Sequence, residues 1–130
     1  LSRKGLMAMV EPFLSVRVAP DQVRNQLDAD SVIKSIQIAA GLGATSAYTW
    51  LKLPVVAQMH RVLDSTTLPS LLLGGDPSGD PDETYRQWGE ALTHPTAMGL
   101  VIGRALLYPS GGDVAQAVDA AVGLVHRGVA

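Results

Sequence analysis

Two side chains in this sequence have the chemistry for reactions at a carbonyl group, and each lies at the end of an apolar segment. Lys52 lies within residues 50–54, where apolar neighbours favour a neutral amine that can attack a carbonyl and form a Schiff base. Glu11 follows residues 6–10, and a carboxylate near such a lysine could move the protons needed to form a carbinolamine and cleave a carbon–carbon bond. Each residue also has a plainer interpretation: Lys52 as a strand-end lysine whose ammonium reaches water, and Glu11 as a capping or ion-pairing residue.

Two glycine-containing turns could bind a phosphate group. Gly74 and Gly75 follow the apolar residues 70–73, and Gly103 and Arg104 follow residues 100–102. Backbone N–H groups in such turns, the guanidinium group and a short helix after Arg104 would all attract an anion. Glycine required only by the geometry of each turn is the alternative interpretation.

The segments that must position these residues alternate between short apolar runs typical of strands and apolar stripes with the spacing of helices. Apolar runs bounded by glycine or proline predict strands at residues 6–10, 47–53, 70–73 and 100–102. Between and after them, helical stripes predict four helices, which begin at Asp30-Ser31, Pro54, Asp80-Pro81 and Asp113, the last one ending at Gly128. Strands joined by helices indicate an α/β protein with a parallel sheet and right-handed crossovers.

This arrangement would bring the candidate residues together at one edge of the sheet. In parallel α/β folds ligands bind at the carboxyl ends of the strands, where Glu11, Lys52 and both glycine turns lie. Strand alternation also allows Glu11 and Lys52 to point to the same face. The connection over residues 12–30 is long for a loop between a strand and a helix, and long loops at such positions often have a function.

Composition narrows the classes of protein further. The 130 residues are 47% hydrophobic and 17% charged, which indicates a globular protein. The sequence has no internal linker, low-complexity stretch or charge block, which predicts a single domain over residues 1–130. A net charge of −2 argues against nucleic acid or an anionic membrane as a partner, and no apolar run has the length of a membrane helix. The absence of cysteine fits a reducing cytoplasm.

We expect no metal site in this chain. The three histidines, His60, His94 and His126, lie in or beside predicted helices and lack the spacing of metal ligands. The aspartates Asp76, Asp80 and Asp82 resemble a calcium loop only loosely, and Asp80 is better interpreted as a helix cap.

Four stretches carry a resemblance to a known enzyme superfamily: MVEPF (9–13), GATSAYTWLKLP (43–54), LLGGD (72–76) and VIGRALLYP (101–109). Together they resemble the C-terminal half of class I aldolases of the deoxyribose-phosphate and tagatose-bisphosphate aldolase superfamily. The resemblance covers nearly the whole chain. It is nearest to a bacterial subgroup of uncharacterised aldolase-like barrels, some of them associated with inositol breakdown.

The resemblance implies a (β/α)8 TIM barrel, of which this chain would supply the last four βα units. Lys52 would be the Schiff-base lysine and Glu11 the acid/base carboxylate, while Gly74, Gly75, Gly103 and Arg104 would bind the substrate phosphate. The implied activity is a carbon–carbon lyase that needs no cofactor and acts on a phosphorylated sugar or sugar acid.

Length sets an expectation about partners. A complete barrel takes about 250 residues, whereas this chain has 130. We therefore expect a fragment that pairs with a missing N-terminal half-barrel, or half-barrels that associate as a homo-oligomer, because an open half would expose strand edges and an apolar face.

Two other functions use the same residues. The first is a non-catalytic barrel protein that binds sugar phosphates. The second is a barrel isomerase in which Glu11 is the base and Lys52 an electrostatic partner.

Overall fold

Short apolar segments bounded by glycine and proline form the strands of this protein, and amphipathic segments between them form the helices. The computed structural model describes residues 1–75 and 80–126; Asp76 and Gly128, both considered in the sequence analysis, lie outside that part. The strands are β1 (Ala8–Val10), β2 (Ser15–Ala19), β3 (Gln22–Asn25), β4 (Thr49–Pro54), β5 (Ser70–Leu73) and β6 (Ala97–Val101). The helices are α1 (Ala29–Ala40), α2 (Met59–Asp64), α3 (Pro81–Ala91), α4 (Arg104–Leu107) and α5 (Val114–Val125), with a 3-10 turn at Ser2–Lys4.

Four of the strands form a parallel sheet in the order β1-β4-β5-β6. Leu51, Leu53 and Leu72 on its central strands are fully buried in a core that also contains apolar residues of α1, α2 and α3. Because side chains alternate along a strand, Trp50 and Lys52 point to the opposite face of the sheet, where they are only partly buried. This second face carries the candidate catalytic lysine.

The prediction of a (β/α)8 TIM barrel is wrong. The described residues form a small α/β fold with one four-stranded parallel sheet and a separate two-stranded antiparallel sheet of β2 and β3. The parallel sheet is open, with β1 and β6 at its edges. Alternating strands and helices specify parallel pairing and crossover connections, but closure depends on strand number, tilt and shear, which the pattern of four units does not contain.

The long segment between β1 and α1 is not a loop as predicted. It contains the hairpin of β2 and β3, in which Val16 pairs with Arg24 and Arg17 with Val23. Each of these side chains is exposed. Val16 and Val18 alternate with polar residues ahead of Pro20-Asp21, a pattern typical of a hairpin that the prediction of a loop did not take into account.

Two predicted helix starts are also displaced. Asp28, not Asp30, caps α1, because its side chain accepts a hydrogen bond from the Ser31 N–H at 2.9 Å. Pro54 does not begin a helix; it is the last residue of β4, opposite Leu73 of β5, and α2 begins at Met59.

The starts of the other two predicted helices are confirmed. Asp80 caps α3 with Pro81 in its first turn, and the Asp113 side chain accepts from the Gln116 N–H at the start of α5. Within residues 1–75 and 80–126, no helix has the length and apolar character needed to cross a membrane.

Candidate functional site

Lys52 and Glu11 meet at the carboxyl ends of two neighbouring strands. The Lys52 Nζ atom donates a hydrogen bond to Glu11 Oε2 at 2.8 Å. The parallel register of β1 and β4 explains this contact, because Met9 lies opposite Trp50 and Val10 opposite Leu51, which places Glu11 level with Lys52. The two side chains are 24% and 41% exposed, so the pair is accessible to a small molecule.

A cavity of about 490 Å³ lies beside this pair. It is bounded by the carboxyl ends of the central strands, the end of the hairpin, one face of α3 and the beginning of α4. Its lining residues are Glu11, Phe13, Asn25, Leu27, Pro54, Val55, Leu73, Gly74, Gly75, Thr84, Gln87, Trp88 and Arg104. This volume lies within the range of small-molecule binding sites.

The structure brings most of the predicted site residues to this cavity. Glu11, Gly74, Gly75 and Arg104 line it directly. Lys52 is not among the lining residues but reaches the cavity edge through its hydrogen bond to Glu11. Gly103 precedes Arg104 in the chain and is also outside the lining.

Glycine is required at two of these positions for geometric reasons. A Cβ atom on Gly74 would lie 2.7 Å from the Cγ2 atom of Ile102, closer than real Cβ contacts. Gly75 has φ +69°, a conformation that residues with a side chain rarely adopt. By contrast, a Cβ atom on Gly103 would have no described atom within 4 Å.

Sequence reasoning missed the polar side chains on the far wall of the cavity. Thr84 and Gln87 lie on one face of α3 beside Trp88, which the helical pattern already predicts as part of the apolar stripe. Their spacing from Trp88 could have revealed them once α3 was placed after the glycine turn. Asn25 lies at the end of β3 in the hairpin, which was predicted to be a loop.

A charged network on α3 fixes the orientation of Gln87. Glu83 accepts hydrogen bonds from Arg86 at 2.7 Å and 2.8 Å and from Gln87 Nε2 at 2.7 Å. The hydrogen bonds from Arg86 and then Gln87 lower the pKa of Glu83 from 4.5 to about 2. Glu83 is therefore ionised, and a carboxylate can only accept from the Gln87 amide.

Two of the three histidines, His60 and His94, take part in a structural network away from this cavity. His94 bonds to Asp64 through Nε2 at 3.0 Å and to Thr96 through Nδ1 at 2.9 Å, while His60 Nε2 is 3.1 Å from the Glu90 carbonyl oxygen. Among the described residues, no three or more histidine, aspartate or glutamate side chains are grouped so as to hold a metal ion.

Comparison with known proteins gives a family but no activity. The crystal structure of Cgl0159 from Corynebacterium glutamicum (Brevibacterium flavum) is 54% identical in sequence and matches 97% of this chain with a TM-score of 0.89. The match covers 42% of that chain, so the present chain spans less than half the length of this solved relative. No curated protein sequence matches. Residues 1–122 match the family model described as Cgl0159-like, and the chain therefore belongs to the Cgl0159-like family.

Proposed function

We propose that this chain carries the reactive lysine of a class I aldolase, which cleaves or forms a carbon–carbon bond in a phosphorylated sugar or sugar acid. The observation that supports this proposal is the 2.8 Å contact between Lys52 Nζ and Glu11 Oε2 at the edge of the cavity. An ion pair that is this exposed adds only about 0–1 kcal/mol to stability, so stability alone is a weak reason for it.

The chemistry assigns separate roles to the two residues. The Lys52 ammonium first gives up a proton, and Glu11 lies within hydrogen-bond distance to receive it. The neutral amine then attacks the carbonyl carbon of the substrate. Glu11 then returns a proton to the carbinolamine oxygen, which leaves as water and gives the iminium ion. Glu11, again a carboxylate, accepts the proton of the substrate's hydroxyl group as the carbon–carbon bond breaks. That hydroxyl becomes the carbonyl of the first product, and the electron pair of the broken bond passes to the iminium and forms an enamine. Protonation of the enamine carbon and hydrolysis by water release the second product and regenerate Lys52.

The charged end of the substrate would lie at the opposite side of the cavity from Lys52. Arg104 supplies a guanidinium group there, and the backbone of Gly74 and Gly75 allows close approach without side chains. The absence of cysteine is compatible with a cytoplasmic setting, where such phosphorylated metabolites would be the small-molecule partners.

Cleavage of phosphorylated sugars tests the proposal. The protein is incubated with deoxyribose phosphate or fructose bisphosphate, and released glyceraldehyde phosphate is measured with a coupled dehydrogenase. We expect Lys52→Arg to reduce cleavage to background and Glu11→Gln to reduce it by about 10²–10⁴-fold. Lys34→Arg, on the exposed surface of α1, is the matched control and should retain full activity.

Full cleavage by Lys52→Arg would contradict the proposal. Binding of the phosphates without cleavage by the unmodified protein would instead favour a sugar-phosphate-binding protein. Exchange of a carbon-bound proton without cleavage would favour an isomerase with Glu11 as base.

A further inference from the structure

We propose that Asn25, Thr84 and Gln87 form a subsite that binds a hydroxyl group of the ligand, and that this wall of the cavity rejects the anionic group. The inference rests on the proposed function, because it specifies the part of the substrate that the same cavity receives. The ligand would then be a hydroxylated phosphate ester whose hydroxyl faces α3 and the hairpin while its phosphate faces Arg104.

The hydrogen bonds of Gln87 and Thr84 leave acceptor atoms for the cavity. Gln87 turns its Nε2 group to Glu83, so its Oε1 atom remains free of that contact and can accept. Thr84 uses its only hydroxyl proton to donate to the Asp80 carbonyl oxygen at 2.9 Å, which leaves the lone pairs of Oγ1. Both α3 side chains thus present oxygen acceptors.

Asn25 presents the opposite polarity. Its Oδ1 atom accepts a hydrogen bond from Ser15 Oγ at 2.7 Å across the hairpin. The Nδ2 group of Asn25 is therefore the atom that remains to donate to a ligand. The hairpin thus supplies a donor amide to this arrangement.

Only certain ligand groups match this pattern. A hydroxyl group has a proton to donate to Gln87 or Thr84 and lone pairs to accept from Asn25. A phosphate dianion only accepts hydrogen bonds, so it gains none from Gln87 Oε1 or from Thr84 Oγ1, whose proton is already donated to Asp80. The guanidinium of Arg104 is the cavity group that suits the phosphate.

A pair of ligands that differ by one hydroxyl group tests the subsite. Dihydroxyacetone phosphate and hydroxyacetone phosphate share the carbonyl and the phosphate, and only the first carries the additional hydroxyl. Their dissociation constants are measured by calorimetry without borohydride. We expect the unmodified protein to bind dihydroxyacetone phosphate about tenfold more tightly, as is typical for one hydrogen bond to a ligand.

Shape-conserving variants assign this preference to α3. The double variant Thr84→Val and Gln87→Met should bind the two ligands with equal affinity, while its affinity for hydroxyacetone phosphate stays unchanged. Gln37→Met, on the exposed part of α1, is the matched control and should keep the tenfold preference. Circular dichroism verifies that each variant is folded.

Three results would overturn the inference: equal affinity for both ligands in the unmodified protein, no binding of either ligand, or a preference that survives in the double variant. Failure of the proposed function is a separate result. If the subsite is right and the proposed function is wrong, the protein will prefer the ligand with the additional hydroxyl, the preference will depend on α3, and no Schiff base will form with either ligand.

Discussion

Replacement of Gly74 by alanine should destabilise the end of the sheet next to the cavity. Gly74 follows β5, and its neighbour Ile102 follows β6, the adjacent strand. The new Cβ atom would lie 2.7 Å from Ile102 Cγ2, 3.3 Å from its Cβ and 3.4 Å from its Cα. The contact therefore involves the base of the side chain and the backbone, not the flexible end of a long side chain.

The size of the effect follows from these distances. Ordinary contact begins at 3.4 Å, so Ile102 must move away by about 0.7 Å to relieve the overlap. Rotation about χ1 offers little relief, because a β-branched side chain has few allowed rotamers. Overpacking of this kind costs about 1–3 kcal/mol of unfolding free energy.

Urea unfolding of a double-mutant cycle measures this contact. Gly74→Ala, Ile102→Ala and the combined variant are compared, since alanine at position 102 lacks Cγ2. We expect the combined variant to be more stable than the sum of the single effects predicts by about 1 kcal/mol or more. Gly111→Ala is the control, because its Cβ would meet no described atom within 4 Å.

Additive effects of the two substitutions, within about 0.5 kcal/mol, would refute this reasoning. So would a Gly74→Ala protein as stable as the Gly111→Ala control. Either result would mean that Gly74 and Ile102 are not in close contact at the carboxyl ends of β5 and β6.

Three further predictions concern the core, a helix and a titrating carboxylate. In urea unfolding, Leu53→Ala should lower the unfolding free energy by about 2–5 kcal/mol, because the Leu53 side chain is 0% exposed. Met9→Ala on the same sheet is the control: Met9 is 54% exposed, so this substitution should change the unfolding free energy by less than about 0.5 kcal/mol. Gly123→Ala within α5 should raise the melting temperature, since nothing described lies within 4 Å of the new Cβ and alanine is favoured in helices by about 0.5–1 kcal/mol. Carboxyl NMR should show Glu83 titrating near pH 2. Because its pKa is lower in the folded protein, the contribution of Glu83 to stability is present above about pH 4.5 and is lost as the pH falls toward 2. Glu83→Gln should remove that part of the pH dependence of stability.

The parallel sheet and the meeting of Lys52 with Glu11 could be predicted from the sequence because local signals determine both. Glycine and proline bound the apolar strands, and strand alternation places Glu11 and Lys52 on one face. Asp80 and Asp113 were identifiable as helix caps because each lies just before a helical apolar stripe.

The features that were missed depend on contacts distant in sequence or on competition between similar signals. Asp28 and Asp30 are both suitable caps, and only the Asp28 carboxylate accepts the Ser31 N–H, which also lowers the pKa of Asp28. In the hairpin, Val16 and Val18 alternate with polar residues, which favours a strand, but the nearby Pro20-Asp21 also fits a loop. The polar wall of the cavity required knowledge that α3 and the end of that hairpin line the same cavity.

Reductive trapping of a Schiff base tests the central proposal most directly. The protein is incubated with dihydroxyacetone phosphate and borohydride, and the modified peptide is identified by mass spectrometry. We predict a single adduct at Lys52, absent from Lys52→Arg and formed more slowly in Glu11→Gln. No adduct at Lys52 under saturating ligand, or equal modification of Lys52 and the exposed Lys34, would contradict the assignment of Lys52 as the reactive amine.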